Sequence, residues 1–110
     1  MVQTLQQWTP IAEAAGIQSG EMFATELAGR PIVVYNVNGT FYATDNACTH
    51  ASAALSDGWL DDFEIECPLH RGRFDIRTGK ALTSPAECDL RTYETRIVEG
   101  RVEVLSNAAA

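Results

Sequence analysis

The 110-residue sequence predicts an all-β domain, a β-sandwich or small barrel. Three observations carry this. Short runs rich in β-branched and aromatic residues recur along the chain. Two gaps between such runs, Asn38-Gly39 and Glu99-Gly100, have the chemistry of tight hairpin turns. Only Ile11-Ala12-Glu13-Ala14-Ala15 offers a helical turn, closed by Gly16.

In chain order, residues 21–27 (Glu21 to Leu27) form the first predicted strand. Pro31 to Val37 and Thr40 to Thr44 flank Asn38-Gly39, and a type I′ turn, with positive φ at both central residues, joins them as a hairpin. Glu64-Ile65-Glu66-Cys67 alternates and reads as a half-buried strand. Tyr93 to Val98 and Arg101 to Leu105 form a second hairpin around Glu99-Gly100. Ser106 to Ala110 is expected to fray as a tail. There is no internal repeat and no low-complexity linker, so residues 1–110 are expected to be one domain.

Two stretches do not read as strands, Asp45 to Gly58 and most of Pro68 to Ser84. Long irregular segments in a small domain usually carry function. Both hold cysteine and histidine. The first reads Cys48-Thr49-His50 and the second Cys67-Pro68-Leu69-His70, with sixteen residues between the two motifs. These are the only two histidines of the chain.

Charge narrows the functional classes. Eight basic against fifteen acidic residues give a net charge of −7. No basic stripe exists to neutralise phosphates, which argues against nucleic acid and against anionic membrane surfaces. The acidity serves either solubility or steering toward a basic docking patch. No apolar run reaches the length of a transmembrane helix, and the first residues lack a basic and hydrophobic leader. The expected compartment is therefore the reducing cytoplasm, where cysteines bind metals or catalyse more often than they pair.

Two cysteines and two histidines can close a tetrahedral zinc site. Zinc fingers, however, usually carry both cysteines on one arm and both histidines on the other. Here each arm carries one of each, and the single residue between Cys48 and His50 makes it awkward for both to reach one ion. Two irons solve the geometry, with two thiolates on one, two imidazoles on the other, and sulfides bridging.

C-x-H followed by C-x-x-H resembles the Rieske [2Fe–2S] signature, and its flanks agree. Asp45-Asn46-Ala47 precedes Cys48; Arg71-Gly72-Arg73-Phe74-Asp75 follows His70; then come Thr78-Gly79-Lys80-Ala81-Leu82 and Pro85. The likeness runs from Trp8 to Val104 and is greatest to the ferredoxins of bacterial aromatic-ring-hydroxylating dioxygenase systems. It implies an antiparallel β-fold with a small cluster-binding subdomain, approximately residues 45–85, formed by two ligand loops. It implies one [2Fe–2S] cluster held by Cys48, His50, Cys67 and His70. It implies a monomeric electron carrier between a flavin-dependent reductase and a terminal oxygenase, with the histidine edges as the electron port. It implies no catalysis, because a mononuclear oxygen-activating iron needs two further histidines and a carboxylate. The alternatives are the small subunit of a nitrite reductase, or a structural zinc module.

High-potential relatives in respiratory complexes carry a disulfide between the loops and hydroxyls that bond the cluster sulfurs. The matching positions here are Ala53 and Leu69, then Gly72 and Phe74, none of which supplies either group. Hydrogen bonds to sulfur stabilise the more negative reduced state, so a low potential is expected. Among the other residues, Cys88 reads as a structural thiol. Pro85 reads as a cluster-shielding loop or a turn. Gly58, Gly72 and Gly79 read as turn positions needing unusual φ. Arg71 and Arg73 would offset cluster charge, contact a partner or be solvated. Asp57, Asp61, Asp62, Glu64 and Glu66 form an acidic docking face or a solvated loop. Trp8, Trp59, Phe41 and Phe74 are expected in the core.

Overall fold

The structure, a computed structural model, describes residues 4–48, 53–69, 71–83 and 89–109. Its strands are β1 (Thr4–Glu13), β2 (Met22–Leu27), β3 (Arg30–Val37), β4 (Thr40–Asp45), β5 (Trp59–Asp61), β6 (Glu64–Glu66), β7 (Arg73–Asp75), β8 (Thr92–Tyr93), β9 (Thr95–Val98) and β10 (Arg101–Ala109). They form three antiparallel sheets, ordered β1-β10-β9, β2-β3-β4-β8 and β5-β6-β7. The all-β expectation holds. Among the described residues the only helical pieces are 3-10 turns at Ala14–Gly16 and Leu55–Asp57, and no helix is long and apolar enough to cross a membrane.

The centre of the fold is β3. Its run Ile32 to Val37 is buried throughout, because both faces of the strand are covered. Val33, Tyr35 and Val37 face one core with Cys48, Leu55, Ile65, Cys67, Phe74, Ile76 and Leu90. Ile32 and Val34 face a second core with Phe41, Ala43, Val102 and Val104. A continuous apolar run suits a strand buried on both sides. The polar groups in it are satisfied. The Tyr35 hydroxyl lies 2.9 Å from Thr44 Oγ1. Asn36 Nδ2 donates to the Ile17 carbonyl at 2.6 Å, and its Oδ1 accepts from Gly39 N at 2.8 Å.

Both predicted hairpins are present. Asn38 and Gly39 have φ of 54° and 89°, Glu99 and Gly100 have 51° and 76°, as type I′ turns require. The chain then switches sheets: β8 pairs with β4, and two residues later β9 pairs with β10. Thr95 Oγ1 donates to the Phe41 carbonyl at 2.7 Å and pins that crossing.

Two expectations fail at the chain ends. The helical turn expected at Ile11–Ala15 is strand as far as Glu13, followed by the 3-10 turn Ala14–Gly16. The tail expected from Ser106 is the last part of β10, paired with β1 through Gln7↔Ser106 and Thr4↔Ala109. Each strand orders the other. Pro10, which has no N–H, sits at a register shift in β1, an edge strand where that loss is tolerated.

Burial of hydroxyls makes this fold alkali-sensitive. The Tyr93 hydroxyl donates to Asp45 Oδ1 at 2.5 Å. Burial first, and the Asp45 carboxylate second, push Tyr93 up to about 12, against about 10 for a free tyrosine. Burial also raises Tyr35. The fold therefore favours the neutral phenols, and above pH ~10 the unfolded chain binds fewer protons than the native one. Their stabilising contribution is complete below that pH and declines as pH rises through about 12. Denaturant midpoints are expected to fall over this window, and Tyr93→Phe to show a shallower fall. An equal slope in wild type and Tyr93→Phe would refute the assignment.

Candidate metal centre

Two segments, or arms, leave the sheets beside the first core, and the described residues of each include a closing backbone contact. The first arm leaves β4. Its base is an antiparallel bridge between Ala47 and Ala54, and the Cys48 N–H closes it on the Ala53 carbonyl at 2.9 Å. The second arm leaves β6, and the Cys67 N–H closes it on the Gly72 carbonyl at 2.8 Å. In both arms the cysteine thus bonds the fifth residue after it. The same closing contact recurs in two stretches with little sequence likeness.

The arms bring the two sulfurs together. Cys48 is 7% exposed and Cys67 0%, and neither is in a disulfide. The Cys67 thiol is in hydrogen-bond contact with Cys48. Burial, then this contact, push Cys67 up to about 11, while a hydrogen bond from the Leu69 backbone N–H acts the other way. That N–H favours a negative sulfur. Two adjacent buried thiols, one with a backbone donor aimed at it, suit soft metal ligation and proton release on binding. No group of three or more His, Cys, Asp or Glu among the described residues is placed to hold a metal ion. Nearby carboxylates therefore do not complete the site there. His50, His70, Cys88 and Pro85 lie outside the described residues.

The third sheet is packed under the arms. Ile65 and Phe74, opposite each other in the β6–β7 register, are both 0% exposed and share a core with the two cysteines. The outward face carries Trp59, Asp61, Glu64, Glu66, Arg73 and Asp75. Trp59, expected in the core, is 57% exposed. It occupies an edge strand, and the alternation of β5 turns Leu60 inward instead. Trp8 is half-buried under the Arg96 guanidinium, 4.2 Å from the ring centroid. Phe41 and Phe74 are core residues as expected.

Arg73 is engaged elsewhere than the sulfurs. It bonds Glu66 at 3.0 Å and Glu64 at 3.2 Å, and reaches Asp61 at 3.5 Å. Three of the five acidic residues between the arms are thus tied across the small sheet, while Asp57 and Asp62 stay exposed. Asp75 is held by Arg77 at 3.0 Å, which keeps its carboxyl below the usual carboxylate range. Arg71 is exposed with φ of 59°. Gly79 has the positive φ expected of it, 79°. Gly58 does not: its φ is −92°. There, contact rather than backbone angle requires glycine, since a Cβ would lie 1.9 Å from the Glu66 carbonyl oxygen.

Residues 7–94 match the family described as Rieske [2Fe-2S] domain. The chain is 47% identical, over 88% of its length and 93% of the relative's, to the ferredoxin component of the naphthalene 1,2-dioxygenase/salicylate 5-hydroxylase systems of Ralstonia sp. Among solved structures it superposes on a chain of the complex of reduced oxygenase and oxidized ferredoxin in carbazole 1,9a-dioxygenase. The TM-score is 0.84 at 40% identity, covering 88% of this chain and 91% of that one. A putative NADH-dependent nitrite reductase small subunit from Mycobacterium tuberculosis has a TM-score of 0.85 at 21% identity, covering 94% and 98%, which shows a shared fold alone. The chain belongs to the Rieske [2Fe–2S] family, as a ferredoxin of aromatic dioxygenase systems that carries one such cluster and transfers electrons rather than catalysing.

Proposed function

We propose that this ferredoxin carries single electrons from a flavin-dependent reductase to the terminal oxygenase of an aromatic-ring-hydroxylating system. Its ligands are Cys48, His50, Cys67 and His70, within a cluster-binding subdomain of about residues 45–85. The observation that carries the reading is the matched pair of arms, which set two reduced, buried cysteines side by side. When bound, the cluster supplies a one-electron couple. The chain's own residues do the rest. Cys48 and Cys67 exclude water from one end of the site, because both are buried. The Leu69 N–H favours charge on the Cys67 sulfur. The protein works as a monomer in the cytoplasm, a reducing compartment that keeps adjacent thiols from pairing.

The test is the EPR spectrum of dithionite-reduced protein. The expected average g lies below that of all-cysteine [2Fe–2S] clusters. A colourless protein with stoichiometric zinc would overturn the reading, as would stable co-purification with a sirohaem enzyme. The midpoint potential is expected near the low end of the Rieske range of roughly −150 to +300 mV, since Gly72 and Phe74 bring no hydroxyl. A midpoint above about +100 mV would contradict this.

A further inference from the structure

We propose that the turn at residues 55–58 is a clip that fixes the two arms relative to each other, with Asn46 and Gly58 as its positioning residues. The proposal rests on the reading of Cys48 and Cys67 as ligands; Asn46, Ser56 and Gly58 are outside that ligand set.

Asn46 lies two residues before Cys48 and is 8% exposed. All its polar groups are used. Its N–H donates to the Pro31 carbonyl at 3.0 Å, and its carbonyl accepts from Leu55 N at 2.8 Å. Its Oδ1 accepts from Ser56 N at 2.8 Å, and its Nδ2 donates to Ser56 Oγ at 3.0 Å. A carboxamide supplies donor and acceptor from one small group; alanine supplies neither. The first arm is thereby locked to the turn on one side and to the start of β3 on the other.

The turn meets the second arm at Gly58. The Glu66 carbonyl, the last before Cys67, occupies the space a Cβ would need. Between these two contacts Leu55, 0% exposed, plugs the core that holds both sulfurs. One short turn therefore touches the chain just before each cysteine. Such a frame keeps the sulfur separation the same in both oxidation states, as pre-organised ligand sets require. Loosening it admits water to the thiolate end, which stabilises the more negative reduced state and raises the midpoint.

The test compares holoproteins. Asn46→Ala breaks the clip. Asn36→Ala removes an equally buried asparagine that bonds Ile17 and Gly39 and contributes nothing to either arm. Ser56→Ala removes one bond of the clip, and Ser56→Thr keeps the hydroxyl. Both asparagine variants are expected to lower the melting temperature. Only Asn46→Ala is expected to raise the midpoint, broaden the reduced EPR signal and speed cluster release to a chelator by roughly 10-fold. Ser56→Ala should move the same way by less, and Ser56→Thr should behave as wild type. If Asn46→Ala matches Asn36→Ala in midpoint, line width and release, the clip is wrong while the ligand reading stands. Should Asn46→Ala fail to fold, an unchanged midpoint and release in Ser56→Ala overturns it. A wild type without a mixed-ligand signal overturns the ligand reading and the clip together.

Discussion

Gly79→Ala is expected to destabilise the protein by about 3–5 kcal/mol, against about 1–2 kcal/mol for Gly29→Ala. Both glycines have positive φ, 79° and 81°. That conformation alone costs an L-residue roughly 1–2 kcal/mol. The surroundings separate them. Nothing lies within 4 Å of a Cβ built at Gly29, whereas one at Gly79 meets the Leu90 carbonyl oxygen at 2.1 Å. The close approach cannot relax easily, because Gly79 is clamped at both ends. Its N–H donates to the Asp75 carbonyl at 2.7 Å and its carbonyl accepts from Leu90 N at 2.7 Å. Leu90, 5% exposed, is in turn part of the core around the two cysteines. Against a total stability of about 5–15 kcal/mol, the Gly79 loss is a large fraction. Denaturant titrations of the two variants check it, and equal losses would show that only the backbone angle matters.

That contrast also marks where the sequence is readable. Asn38-Gly39 and Glu99-Gly100 announce their turns because few residues tolerate two positive φ values in succession. The turn between β2 and β3 does not announce itself: Ala28 takes φ of 52° there, held by the pairing of Leu27 with Arg30. Strand β1 is invisible for a related reason. Gln6, Gln7 and Trp8 have no alternation, and their partners Asn107, Ser106 and Leu105 lie at the other end of the chain. Strands β5 and β7, three residues each, are too short for a period to show. At the candidate site, residue type and spacing single out Cys48 and Cys67, which the structure places in one core. The companions that hold them are not singled out. Asn46 and Ser56 look like loop residues until the Ala47–Ala54 bridge brings them together. Arg73 looks like a ligand neighbour until the register places it beside Glu66.

Phe74→Ala is expected to cost about 3–5 kcal/mol and to impair cluster retention as well. The ring is 0% exposed, sits opposite Ile65 in the smallest sheet, and shares its core with Cys48, Cys67 and Leu55. A sheet of three-residue strands has little else to hold it, so the cavity would open beneath the second arm rather than collapse. Phe74→Tyr separates packing from potential at the same position. It keeps the ring and restores the hydroxyl that higher-potential relatives of this family place near the sulfurs. If that hydroxyl reaches a sulfide, the midpoint rises while stability changes little, because a donor there favours the more negative reduced state. Burial gives the prediction its edge: a hydroxyl that found no acceptor in this core would cost about 1–3 kcal/mol. A tyrosine variant with unchanged midpoint and lowered stability would therefore show that Phe74 points away from the cluster sulfurs and that its missing hydroxyl does not set the midpoint.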